Sequence, residues 1–372
     1  MPLSSVLYSI PFSTNEFYPN VTIIYDAVGD TSDADFLKNN PHFDIFMTST
    51  ARGYSPENCV DLLEAGVDFG AVADGLLKSN TVDGKVLALP MGLTLKGIVV
   101  NKTLLEKEGL AMPQTWSEFL TVLEALKQKG YTPIQGPDSA VAELCYNMSM
   151  AMLSEDPALL QAVMAGDAEG AAALRMAYGR LLELYDKGYI SREVNADYPE
   201  NNYDGAILKF FEGDVPFWVC DTEKVSGMKK RESKSEAFSA APFDYEFTFA
   251  PMGDGGVYEY IEPWYGFAVN KNSEKRDYAV EFLRFMARQD ELNTLASVKG
   301  VPSVAKDAPD ARYADLSGIE KVELSAVCDG SVGSFVGTYF SNSAAELISG
   351  ELADADAALA KFTARCAEAA QW

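Results

Sequence analysis

Apolar and polar positions change period several times along the 372-residue chain. Val21-Thr22-Ile23-Ile24-Tyr25 is a short β-branched and aromatic run, the composition of a strand. The polar Asp30-Thr31-Ser32-Asp33 and a helix-like stretch around Phe36-Leu37 separate it from Phe43-Asp44-Ile45-Phe46-Met47, which predicts a second strand. Ser55-Pro56 reads as an N-cap followed by proline at the first helical position, opening a helix through Val60, Leu62 and Leu63. Residues 85–90 and 97–101 predict two buried strands, because they are short, apolar and bounded by Gly, Pro or Asn. A helix is expected at 103–109, and Thr115 and Glu118 have the capping-box spacing of a helix over 116–129 that Gly130 ends. From 140 to 212 the period is helical, with Leu174, Tyr178, Leu181, Leu182 and Tyr185 at three- and four-residue steps. Residues 215–220 and 266–270 return to strand, while Lys229-Lys230-Arg231-Glu232 reads as a charged loop and 253–256 as a turn. The rest is helical: 274–288, 291–298 and, after Gly300-Val301-Pro302, a set ending in 352–371. Alternating strands and helices make this an α/β chain.

Length then argues for two lobes, since one hydrophobic core rarely serves more than about 200 residues. The 48% hydrophobic and 23% charged content is that of an ordinary globular protein. With 55 acidic against 30 basic residues the formal charge is −25, which repels nucleic acid and anionic membranes. Such a charge serves solubility and also permits a cationic ligand such as a polyamine. The five cysteines, Cys59, Cys145, Cys220, Cys328 and Cys366, show no CxxC pair and no metal-ligand spacing, so they read as buried thiols. His42, the single histidine, follows Pro41 and reads as a loop residue, leaving no material for a histidine metal site or triad. No metal, no cofactor and no catalytic residues are expected. Ser303-Val304-Ala305-Lys306 matches an S-x-x-K pattern without its SDN or KTG companions. The loop from Asn195 to Asp204 offers oxygen ligands for calcium as a hypothesis only. No stretch approaches the roughly 20 apolar residues that span a bilayer.

A set of short motifs recurs in one order: Tyr18-Pro19-Asn20-Val21, Phe43-Asp44-Ile45-Phe46, Leu89-Pro90, Val100-Asn101-Lys102, Gly109-Leu110, and Pro113-x-Thr115-Trp116-x-Glu118-Phe119. Phe211-x-x-Gly213, Gly266-Phe267-Ala268-Val269-Asn270-x-Asn272-Ser273 and Ala279-x-x-Phe282-Leu283 continue it. In these the chain resembles the bacterial extracellular solute-binding proteins of ABC importers, the maltodextrin-binding-protein-like family. The resemblance implies a two-lobed periplasmic-binding-protein type II fold with three hinge crossings, near 101–104, 261–266 and 300–304. An N-terminal lobe of 1–102 plus 266–302 and a more helical C-terminal lobe of 103–265 plus 303–372 follow. It also implies a mono- or oligosaccharide held between the lobes, a monomer docking on ABC permease transmembrane subunits, and a periplasmic or lipid-anchored location outside the cytoplasm. Family members carry a first strand before the Tyr-Pro-Asn-Val segment, so this N-terminus is expected to lack it and the export signal. A polyamine or other polar solute, a secreted carbohydrate-active enzyme, and a sensor subunit serving a receptor kinase are the competing readings.

Sugars offer hydroxyls and apolar C–H faces, so a sugar site needs polar side chains and aromatic rings. Trp264 and Tyr265 precede Gly266 at an expected crossing and either meet ligand or pack in the core. Asp221 and Glu223 follow an apolar strand at its carboxyl end, where α/β folds place ligands. Thr48, Thr50 and Arg52 follow another; Arg52 falls where the resemblance implies a sugar-contacting arginine, with a surface arginine as the alternative. Tyr339, at the expected start of a late helix, and Asn147 with the loop Pro137-Asp138-Ser139 complete the candidates. Trp116 follows a cap and packs inside, and Trp218, within an apolar strand, either fills the core or meets ligand.

Overall fold

A computed structural model describes residues 22–24, 36–48, 55–73, 76–77, 80–196, 202–251, 253, 258–299, 301–307, 320–323 and 330–370. In chain order the elements begin with α1 (Phe36–Asn39), β1 (Ile45–Thr48), β2 (Thr81–Val82), β3 (Lys85–Val86), β4 (Leu89–Thr94), β5 (Lys96–Asn101), α2 (Lys102–Lys107), α3 (Trp116–Gln128) and β6 (Ile134–Gln135). A helical stretch follows: α4 (Asp138–Glu155), α5 (Pro157–Met164), α6 (Arg175–Asp186), α7 (Arg192–Ala196) and α8 (Tyr203–Phe210). Then come β7 (Phe217–Asp221), α9 (Thr222–Glu232), α10 (Glu236–Ala240), β8 (Tyr245–Thr248), β9 (Tyr258–Val269), α11 (Arg276–Met286), α12 (Gln289–Lys299), β10 (Glu320–Glu323), α13 (Gly330–Ser349) and α14 (Ala355–Ala369). Two compact units result, one of residues 1–93 and 263–312, the other of 94–262 and 313–372.

In the first unit β1 runs antiparallel to the end of β9, with Ile45 opposite Val269 and Thr48 opposite Gly266, and β4 also pairs with β9. Leu37, Phe46, Cys59, Leu87, Ala88 and Ala268 form its core. Gly266 is required by close packing, since a Cβ there would lie 2.9 Å from the Leu89 carbonyl oxygen. Two expected elements do not form. Residues 22–24 have no regular structure and Ile24 is 87% exposed, so the β-branched run finds no neighbouring strand among the described residues. The helix expected from Ser55 stops after one turn: Ser55 accepts from the Asn58 and Cys59 amides, but Cys59 then bridges to Asn270 and Val60 donates to the Val269 carbonyl. Joining the sheet displaces the helix there, and Asp61 closes the next turn by accepting from the Leu63 amide at 3.1 Å.

The second unit is built on a sheet of order β6-β7-β5-β8, with β6 parallel to β7 and both β7 and β8 antiparallel to β5. Its strands are apolar on both faces. Ile98, Val100, Phe217 and Val219 enter a large core with α3, α4, α6, α13 and α14, whereas Val99, Trp218 and Cys220 enter a second core with Ile207, Phe210 and Phe211 of and beside α8. This is the period-two alternation of a sheet covered by helices on each face. Strand β5, assigned from sequence to the first lobe, thus lies in the second unit, because its ladders run to β7 and β8. Thr115 caps α3 by accepting from the Glu118 amide at 3.2 Å, while the Glu118 carboxylate accepts from the Gln114 amide rather than from Thr115. The charged run Lys229-Lys230-Arg231-Glu232 is not a loop but the last turn of α9, where cations face the negative end of the helix dipole.

Candidate functional site

Strand β7 ends at Asp221, whose extended backbone and carboxylate cap α9: Oδ1 accepts from the Lys224 amide at 3.1 Å, and Oδ2 meets Lys224 Nζ at 2.9 Å. The cap is bolted to β5 by Thr222, fully buried, whose amide donates to the Leu95 carbonyl at 3.0 Å while its hydroxyl accepts from the Leu95 amide at 3.1 Å. Lys96 is therefore placed directly opposite Asp221 in the ladder.

Helix α4 supplies the other side of the cluster. Glu143 and Asn147 stand four residues apart on one helical face and both engage Lys96. Lys96 Nζ lies 3.0 Å from Glu143 Oε1, the Asn147 amide nitrogen donates to the Lys96 carbonyl at 2.7 Å, and the Lys96 ammonium sits 5.0 Å from the Tyr146 ring centroid. Lys96, Glu143, Asp221 and Lys224 side chains are 24%, 30%, 22% and 27% exposed, so two ion pairs sit half in water at one end of the β5–β7 ladder. Asn147 is 6% exposed, and its Oδ1 has no hydrogen-bond partner among the described residues. The amide cannot be turned over, because Oδ1 would then face the Lys96 carbonyl. Beside this cluster, burial and then the Asp221 charge push the Cys220 thiol well up, so it stays protonated.

The expected site residues divide as follows. Asp221 falls in this cluster; Glu223 is in the first turn of α9 beside it. Tyr339 is half-buried in the middle of α13, not at its start, and packs against the large core of the second unit. Thr48 ends β1 and pairs with Gly266, two residues after Trp264 in β9, so both belong to the sheet joining β1 and β9. Tyr265 is 3% exposed, its ring against Gly92 and 6.2 Å from Phe267, and burial pushes its phenol up, which makes it a core residue of the first unit. Thr50 and Arg52 lie outside the described residues. Asp138 opens α4 rather than lying in a loop, and its carboxylate accepts from the Tyr185 hydroxyl at 2.9 Å and the Asn195 amide at 3.2 Å. Asp204, proposed for calcium, is taken by Arg231 and Lys234 at 2.5 and 3.0 Å. Trp116 and Trp218 are buried, and so are the described thiols of Cys59, Cys145, Cys220 and Cys366.

Sequence reasoning missed Lys96, Glu143 and Tyr146. One signal was available: Lys96 is the lone charge between Leu87 and Val100, in an otherwise apolar run. No helix of the described residues is long and apolar enough to cross a membrane, and among them no group of three or more His, Cys, Asp or Glu side chains gathers as for a metal ion.

Among solved structures, the chain is similar to a sugar transporter protein of Bacillus licheniformis in complex with stachyose (18% identity, 98% of this chain and 96% of that one, TM-score 0.67). It is also similar to a chitin oligosaccharide binding protein (21%, 99% and 95%, TM-score 0.71) and to a binding protein of an ABC transporter from Bifidobacterium animalis subsp. lactis in complex with mannobiose (18%, 96% and 88%, TM-score 0.65). At such identities the likeness is one of fold, the α/β fold of two-lobed solute-binding proteins. A multiple sugar-binding protein of Streptococcus mutans is 40% identical over 52 residues, a match covering 14% of this chain and only 12% of that protein. Residues 9–291 match the family described as bacterial extracellular solute-binding protein, well over half of the chain, and the chain belongs to that family.

Proposed function

We propose that the chain binds a mono- or oligosaccharide reversibly, catalyses no reaction, and delivers its ligand as a monomer to the transmembrane permease of an ABC importer, outside the cytoplasm and with a lipid anchor or in a periplasm. The family match over residues 9–291 carries this reading. The saccharides named for proteins of the same fold, stachyose, mannobiose and chitin oligosaccharide, support the ligand class. The chemistry of the second unit suits it as well: a saccharide needs hydrogen-bond donors and acceptors in alternation, and Lys96, Glu143, Asp221 and Lys224 present both signs without net charge. We assign ligand contacts to Asp221 and Glu223 of the second unit, with Tyr339 as the aromatic, and to Thr48, Thr50, Arg52 and Trp264 of the first, with Tyr265 supporting β9 from within.

A thermal-shift series with raffinose, stachyose, mannobiose, chitin oligosaccharides, spermidine and amino acids tests this. A ligand bound only by the folded state stabilises it by about 2.7 kcal/mol at a hundredfold excess over Kd. The expected result is a rise with one saccharide that Trp264→Ala removes. A rise with spermidine and with no sugar refutes the carbohydrate assignment while leaving a solute-binding protein.

A further inference from the structure

We propose that Lys96 and Glu143, positioned by Asn147, form a subsite that takes neighbouring hydroxyls of an uncharged saccharide and turns away cationic solutes; this rests on the carbohydrate reading above. Three features of the cluster lead there. First, the ammonium and carboxylate are 3.0 Å apart and each is about a quarter exposed, so they present a donor and an acceptor side by side at a spacing that one diol can bridge. Second, Asn147 keeps a buried Oδ1 without a partner among the described residues, although its amide nitrogen fixes the Lys96 carbonyl at 2.7 Å. Buried polar atoms are nearly always satisfied, so this acceptor is one that an ordered water or a ligand hydroxyl can meet. Lys96 borders this amide through its backbone carbonyl, and its ammonium lies 5.0 Å from the Tyr146 ring centroid and 3.0 Å from Glu143. Third, each of the two carboxylates carries an ammonium: Glu143 lies 3.0 Å from Lys96 and Asp221 2.9 Å from Lys224, so a polyamine meets two ammonium groups here, despite the chain's charge of −25.

Lys96 is thereby the specificity-determining residue and Asn147 the positioning one. Isothermal titration of the wild type, Lys96→Met and Asn147→Leu with raffinose, stachyose, mannobiose, chitin oligosaccharide and spermidine provides the test. For the saccharide that the wild type binds, both variants are expected to bind at least about tenfold more weakly, and Lys96→Met, which takes the cation away from Glu143, is expected to gain spermidine binding. Lys96→Met keeps the backbone carbonyl that accepts from Asn147, so this variant decides the matter even if Asn147→Leu does not fold. Saccharide affinity within about twofold of wild type in Lys96→Met overturns the subsite and leaves carbohydrate binding standing. A wild type that binds none of the saccharides overturns the carbohydrate reading itself, and the subsite with it.

Discussion

Gly337→Ala is the sharpest probe of how the site is supported. Gly337 lies in α13, and a Cβ added there would be 2.0 Å from Cε2 of Tyr146, 2.9 Å from Cδ2 and 3.0 Å from Cζ. Carbon atoms pack at about 3.5–4.0 Å, so the ring must withdraw by about 1.5–2 Å. It has nowhere easy to go: Tyr146 is 3% exposed and carries the Lys96 ammonium over its ring. Over-packing of this kind costs about 1–3 kcal/mol, against a gain of up to about 1 kcal/mol from replacing glycine within a helix. The expected net loss is about 1–2 kcal/mol, or a fall in Tm of about 2–8 °C. Calorimetry should also show the sign reverse in a Tyr146→Ala background, where only the helix gain remains and Gly337→Ala raises Tm. A rise in the wild-type background, or equal falls in both, refutes the contact between α4 and α13 as the cause.

Gly92→Ala sets a Cβ 2.8 Å from Cε1 of the buried Tyr265, and a loss of about 1–3 kcal/mol by thermal unfolding is expected for the first unit. Asp221→Ala removes the α9 cap and costs about 0.5–2 kcal/mol, whereas Asp221→Asn retains a capping oxygen and restores most of it; equal losses in denaturant titrations would show that charge, not capping, is what matters. Lys96→Met leaves the partly exposed Glu143 carboxylate without its cation and should cost no more than about 1 kcal/mol by thermal unfolding, and a fall of more than about 2 kcal/mol would make the pair structural. Hydrogen bonds from Arg231 and then Lys234 hold the Asp204 carboxyl below its ordinary range. A depressed folded-state pKa stabilises above the unfolded pKa of about 4, and that contribution disappears as pH falls through the folded value. Tm measured from pH 6 to pH 2.5 should therefore fall less steeply below pH 4 for Asp204→Asn than for wild type, and parallel curves would contradict the ion pair.

Where local chemistry decided the outcome, the sequence was readable. Asn101 before α2, Thr115 before α3 and Gly130 after it carry their own capping and turn signals, and the structure uses each. The apolar runs of β5 and β7 are buried on both faces and so needed no alternation to be recognised as strands. What failed was governed by partners distant in sequence. Ser55-Pro56 has the local signature of a helix start, yet Cys59 and Val60 are captured by residues more than two hundred positions away. The reverse error befell Lys229-Lys230-Arg231-Glu232: four charges in a row read as loop, but the N-cap at Asp221 and the helix dipole make the same charges a favourable last turn.

The site divides in the same way. The position of Asp221 was legible because the end of an apolar strand followed by Asp-Thr is a local pattern. Lys96 was not, because a single lysine in an apolar run has no meaning until its neighbours are known. Those neighbours come from a helix beginning more than forty residues later, and only the fold shows that Glu143 and Asn147 share one of its faces. Apolar residues at both 96 and 143 would serve the packing of β5 on α4 about as well as the ion pair does, since taking an ion pair partly out of water seldom adds net stability. The lysine, the carboxylate beside it and the amide whose oxygen has no partner among the described residues are the parts from which the proposed subsite is built.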